Sequence, residues 1–201
     1  MLQLQDLDPR LLVRKDLVKN PVIVLVNEFD EKPAQEFRKA FNEAHETGQE
    51  VIPVLIDSFG GYIYSLFSMI ETIKSSRLPV ATIVSGKACS CGAVLLTAGK
   101  EGLRFCGPDS MVLIHQASSG FFGKNSDIQI KASETNRLNK KLMEIMAYNV
   151  GKNPDYFIDM VAKHKYGDIY LTPQQAKKHN IVNHVRIPTL KTKVSVEFSL
   201  I

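Results

Sequence analysis

Ser90 stands in Gly86-Lys87-Ala88-Cys89-Ser90-Cys91-Gly92-Ala93, between an apolar run and a stretch of small and apolar residues with helical character. A serine hydroxyl is a weak nucleophile until a base takes its proton and donors receive the developing oxyanion. A helix start offers free backbone N–H groups and the positive end of the dipole, and Gly86, Ala88 and Gly92 leave room for a close approach. The same placement suits a serine that caps the helix and does no chemistry. The spacing is not the G-x-S-x-G elbow of the α/β-hydrolases, because Ala88 occupies the first glycine position. A second signal, Asp57-Ser58-Phe59-Gly60-Gly61, ends the preceding strand; its glycines can turn an N–H toward a reaction centre or simply make a tight turn.

A base and its orienting partner are available further along. His115 follows the apolar Met111–Ile114 run and precedes Gln116, where an imidazole is either a general base or a satisfied structural residue. Asp168 lies in Tyr166-Gly167-Asp168, where an aspartate orients a histidine or serves turn chemistry. Lys87, close before Ser90, offers a Ser-Lys dyad as a competing base. Cys89 and Cys91 have C-x-C spacing, but without a second pair or neighbouring ligand histidines they read as small buried thiols. With Cys106 they make three cysteines, an odd number that forms no disulfide framework and fits a reducing compartment.

The elements that must hold these groups alternate between strand and helix. Pro21–Asn27 reads as a buried strand, Glu31–Thr47 as a helix through Phe37, Phe41 and Ala44, and Val51–Ile56 as a second strand. A helical stripe of Ile63, Leu66, Phe67, Ile70 and Ile73 follows, then a third strand over Pro79–Val84 and a core helix over Ser90–Ala98. Short strands over Leu103–Phe105 and Met111–Ile114 precede a long periodic stretch, Asp127–Val150, with apolar residues at Ile128, Ile130, Leu138, Leu142, Ile145 and Met146. Helices over Asp155–Lys163 and Pro173–His179, a turn at Gly167 and a strand over Ile181–Val185 complete an α/β layered fold with parallel pairing.

The 201 residues, 44% hydrophobic and 23% charged, are read as one domain spanning 1–201 with a short N-terminal segment, 1–20. The +4 net charge is spread along the chain, which argues for a solvated mixed surface and against a nucleic-acid partner. Met1 to Asp6 lacks a basic and then apolar pattern, so a cytoplasmic protein is expected. No apolar run approaches the roughly eighteen residues that suggest a membrane span.

Taken in order, the segments resemble the proteolytic subunit of the Clp protease. Ser58-Phe59-Gly60-Gly61 matches its S-P-G-G, Gly86 to Ala93 its G-x-A-A-S-x-G-A, and Leu113-Ile114-His115-Gln116 its apolar-I-H-Q. Asp168-Ile169-Tyr170-Leu171-Thr172, followed by Gln175-Ala176, matches its aspartate segment. The resemblance covers about Pro21 to Val185 and departs at Phe59, where the family has proline, at Cys89, where alanine is commoner, and in an abbreviated N-terminal segment.

The resemblance implies a Clp and crotonase-like layered fold of ββα repeats, with 127–150 as a projecting handle helix. It implies a Ser90–His115–Asp168 triad, with oxyanion donors at the backbone N–H groups of Gly61 and Cys91 and no metal or organic cofactor. The substrate would be an unfolded polypeptide or peptide, cleaved inside stacked heptameric rings, a heptamer or tetradecamer. An ATP-driven unfoldase is the family's partner, and the short N-terminal segment argues against one here. Two competing readings are a catalytically silent scaffold subunit and a crotonase-like acyl-CoA hydratase or isomerase, in which glycine N–H groups polarise a thioester and the triad has no purpose.

Overall fold

The computed structural model describes residues 20–191. The expected N-terminal segment 1–20 therefore lies, except for Asn20, outside the described residues. β1 (Val24–Val26), α1 (Glu31–His45), β2 (Ile52–Ser58), α2 (Ile63–Lys74) and β3 (Val80–Cys89) form the first half. α3 (Cys91–Thr97), β4 (Arg104–Cys106), β5 (Met111–Ile114) and α4 (Asn125–Asn149) follow. α5 (Tyr156–Lys163), β6 (Ile169–Leu171), α6 (Pro173–Lys178) and β7 (His184–Val185) complete the described chain.

The principal path of the sheet runs β1-β2-β3-β4-β7, every pair parallel, as expected of strands joined through helices. β5 joins β3 in parallel, and β6 adds one antiparallel pair with β5 at this edge of an otherwise parallel sheet. The β6 strand is also absent from the sequence reading. Three residues are too few to show a period, and what makes Ile169–Leu171 a strand is its pairing with a distant segment.

β3 outruns the expected Pro79–Val84. Residues 82–84 pair with β4, and residues 87–89 pair with β5. Between them the register slips: Ile56 faces Val84 while Ser58 faces Ala88, so Ser85, Gly86 and Lys87 bulge opposite Asp57 alone. The polar Ser-Gly-Lys that looks like a strand end is a bend at which one strand changes partners.

The last strand is shorter than the expected Ile181–Val185. Asn180, at φ 60, closes α6 in the left-handed conformation; its N–H donates to Lys177 O, and the Ile181 N–H reaches Ala176 O. Ile181 and Val182 are thus taken up by the buried end of the helix, and only His184 and Val185 pair with β4.

The long helix α4 divides in two. Leu138, Leu142, Met143, Met146 and Ala147 are buried on the domain's own core. Ile130, by contrast, is 69% exposed, and every residue from Asn125 to Lys131 is exposed. The apolar stripe expected to be exposed along the whole 127–150 stretch is exposed in its first turns and packed on the core beyond them.

Arg104 ties the layers together. Its side chain is 1% exposed, and its guanidinium donates to Asn149 O at 2.9 Å, Asn180 O at 3.1 Å and Thr97 O at 3.5 Å, with Glu101 as ion partner. Those carbonyls lie at the C-terminal ends of α4, α6 and α3, where acceptors find no N–H donors within their own helices. Each buried carbonyl left without a donor costs about 1–3 kcal/mol. Arg104→Leu should therefore lower unfolding stability by about 3–5 kcal/mol, with Arg104→Lys in between because an ammonium lacks the planar fork. Urea denaturation measures both; a loss below about 1 kcal/mol for Arg104→Leu refutes the hub.

Candidate active site

Three strand ends converge at the β3–β5–β6 edge. Ser90 follows the last residue of β3, His115 follows the last of β5, and Asp168 precedes the first of β6. Cys89 pairs with Leu113, and the Ser90 N–H donates to Leu113 O at 2.9 Å, which anchors Ser90 to the strand leading into His115. In the β5–β6 ladder the final pair is Ile114 with Ile169. Extended one residue beyond the ladder, that register would bring His115 across from Asp168.

Ser90 itself sits at φ 56 and ψ −119 in the N-cap position of α3, and its side chain makes no capping hydrogen bond. A non-glycine residue held in such a region costs on the order of 1–3 kcal/mol. A serine serving only as a cap would have extended backbone and an engaged hydroxyl, so the structure speaks against the capping alternative. The Ser90 carbonyl is used instead, accepting from the N–H groups of Ala93 and Val94.

The glycine turn lies against this residue. A Cβ on Gly60, at φ 109, would stand 2.8 Å from Ser90 Cβ, and one on Gly61, at φ 150, would stand 2.5 Å from Phe29 O. Gly61 forms an isolated parallel bridge with Phe29, in which the Tyr62 N–H is the donor to Phe29 O at 2.7 Å. Among the described residues no turn or loop backbone carbonyl takes up the N–H of Gly61, and Cys91, at the first position of α3, has no intrahelical acceptor for its N–H. The Cys91 thiol donates to Gly61 O at 3.2 Å, a link between the two segments that the sequence reading missed. Burial pushes this thiol up to about 11, so it stays protonated and donating near neutral pH.

Ser90 and His115 line one cavity of about 390 Å³ with Gly61, Tyr64, Ala93, Val94, Leu142 and Met146. The wall is largely apolar, and much of it comes from the buried half of α4. Ala117 N–H donates to Asn139 Oδ1 at 3.0 Å, fixing the segment after His115 to that helix. On the rim, Tyr64 donates to Glu134, whose carboxyl is also held by Arg137 through two bonds of 2.7 Å. Arg137 first, then Tyr64, holds this carboxyl down to about 2.

Among the described residues, no hydrogen bond joins the side chains of Ser90, His115 and Asp168. The cavity therefore unites Ser90 and His115, while Asp168 does not line it and is exposed, one residue beyond the end of the β5–β6 ladder. Lys87 places its ammonium 2.7 Å from Asp57 Oδ1, which leaves the Ser-Lys dyad without its contact. Cys89 and Cys91 are both buried, and burial raises both thiols. A larger cleft of about 750 Å³ opens between α1 and α2 beside Arg38, His45, Ser68, Thr72 and Arg77. It holds neither a strained nucleophile nor a glycine turn, so the smaller cavity is the chemical candidate.

A family model described as Clp protease matches residues 10–188 of the chain. The ATP-dependent Clp protease proteolytic subunit 1 of Rhodopirellula baltica (strain DSM 10527 / NCIMB 13988 / SH1) is 34% identical over 174 residues, covering 86% of this chain and 75% of its own length.

Proposed function

The chain belongs to the Clp protease family, a family of serine peptidases, and from that premise we propose an active endopeptidase with Ser90 as its nucleophile. His115 takes the Ser90 proton as the hydroxyl attacks a peptide carbonyl, then returns it to the leaving amine. Asp168 holds the imidazole in the right tautomer and stabilises its charged form. The N–H groups of Gly61 and Cys91 receive the oxyanion, each worth about a hundredfold to a thousandfold in rate. Substrate entry excludes water from the apolar cavity and draws the three side chains into hydrogen-bonding range, since catalytic contacts are often long without substrate.

The observation that carries this reading is the Ser90 hydroxyl, uncapped on strained backbone and sharing a cavity wall with His115. The unclosed hydrogen-bond chain favours one rival, the silent scaffold subunit. A fluorophosphonate probe separates them: a peptidase is labelled at Ser90, and Ser90→Ala abolishes labelling with the fold intact. Label found on Ser58 or Ser85, or persisting in Ser90→Ala, overturns the assignment.

The lining of Ala93, Val94, Leu142 and Met146 suits an apolar side chain at the residue whose carbonyl is attacked. The substrate is an unfolded polypeptide or a short peptide, threaded into a chamber built from copies of this chain. Short peptides need no unfolding, so they report the chemistry with or without an ATP-driven partner. The chamber is assembled through the first turns of α4, where Ile128 and Ile130 find no core of their own. Ile130→Asp should convert a ring to smaller species in light scattering, whereas Leu142→Asp should unfold the domain. A wild type with a monodisperse mass near 22.5 kDa rules out the ring.

A further inference from the structure

The Ser58–Gly61 turn carries two positive-φ glycines, and Phe59 supplies none of the rigidity of a proline. What faces it is a cluster built from the bulge in β3. Gly86, at φ 110, has no side chain, and a Cβ there would stand 2.7 Å from Asp57 Oδ1, so the carboxylate lies against bare backbone. From that position it meets Lys87 Nζ at 2.7 Å. The same ammonium stands 4.2 Å from the centroid of the Phe59 ring, which is 78% exposed and otherwise unsupported by the core. Gly86 is itself fixed, its N–H donating to Ser110 Oγ at 3.0 Å.

We propose that Lys87 is a positioning residue: bonded to Asp57 and laid over Phe59, it clamps the oxyanion turn to the strand that delivers Ser90. The proposal rests on the serine-peptidase reading. Lys87 lies three positions before the nucleophile, and Asp57 and Phe59 lie within four positions of the Gly61 N–H. One side chain therefore spans the two segments whose relative placement sets the distance from Ser90 Oγ to the oxyanion donor. An N–H displaced by about an ångström loses much of its worth to the transition state while leaving ground-state binding nearly unchanged. Lys87 does not line the cavity, so it acts through the turn and not on the substrate. The Lys87 ammonium also keeps the Asp57 carboxyl below the ordinary carboxylate range, so the pair stays charged at neutral pH.

The test uses the full chain with a short fluorogenic peptide, and hydrogen–deuterium exchange read on peptides covering residues 58–62. Lys87→Met keeps the aliphatic stem and removes the charge; Lys87→Arg keeps charge, pairing and stacking. Lys87→Met should lower kcat about three- to tenfold at constant KM and speed exchange in 58–62, as expected from losing one cation–π contact and one half-exposed ion pair. Phe59→Leu should do the same, the double variant should add little, and Lys87→Arg should restore most of the rate. Unchanged exchange, unchanged kcat, or a rise confined to KM overturns the clamp. A wild type that turns over no peptide overturns the peptidase reading instead, and exchange in 58–62 then still decides whether Lys87 holds the turn.

Discussion

Ser90→Ala should lower turnover of a short peptide amide by about 10⁶, and adding His115→Ala should lower it little further. The size follows from the proposed roles. The hydroxyl forms the covalent intermediate, and without it His115 has no proton to accept, so the two residues act as a unit and their losses do not add. The residual rate comes from substrate binding and the Gly61 and Cys91 N–H groups, which neither change touches. Ser90→Ala should fold normally, because its hydroxyl makes no capping bond to α3 and alanine meets the same backbone demand at φ 56. Kinetics on Ser90→Ala, His115→Ala and the double variant, each with native circular dichroism, measures the loss and its non-additivity. A loss below tenfold for Ser90→Ala, or strictly additive losses, rejects the unit.

Asp168→Asn should lower turnover by about 10⁴, with KM little changed. Asparagine keeps the size of the side chain but favours the wrong imidazole tautomer and cannot stabilise the imidazolium. The neighbours Asp155 and Asp159 provide controls. Asp155 sits at the N-cap of α5 and Asp159 in its first turn, whereas only Asp168 enters the strand whose register runs toward His115. Asp155→Asn and Asp159→Asn should remain within a few-fold of wild type. If either loses activity while Asp168→Asn retains it, the third member of the triad is misassigned, although Ser90 and His115 stand.

Some of this is written locally. Met111–Ile114 is a strand at the expected bounds because a short β-branched and apolar run carries its own signal. α6 starts where Thr172, Pro173 and Gln175 form a capping box with proline in the first turn. α1 begins at Glu31, with the Asp30 side chain accepting the Glu31 N–H. In each case the residues that decide the element lie within one turn of it, so reading along the chain suffices.

The site is legible to a different depth. The residue types at the strand ends and glycine turns are legible along the chain, since Ser90, His115 and Gly60-Gly61 sit at boundaries marked by their own neighbours. Whether Ser90 caps α3 is open to local reading; the backbone angles imposed where β3 enters α3 settle that it does not. Tertiary structure also decided that β3 bends past Ser-Gly-Lys to pair with β5, and that Ile169–Leu171 is a strand. It divided α4 into a buried half and a free half, since helical periodicity marks an apolar face but not what covers it. The Asp57–Lys87–Phe59 cluster and the Cys91–Gly61 bond join residues about thirty positions apart. Their physical cause is the pairing of β2 with β3: hydrogen bonds between strands set which distant side chains meet, and no local pattern encodes that register.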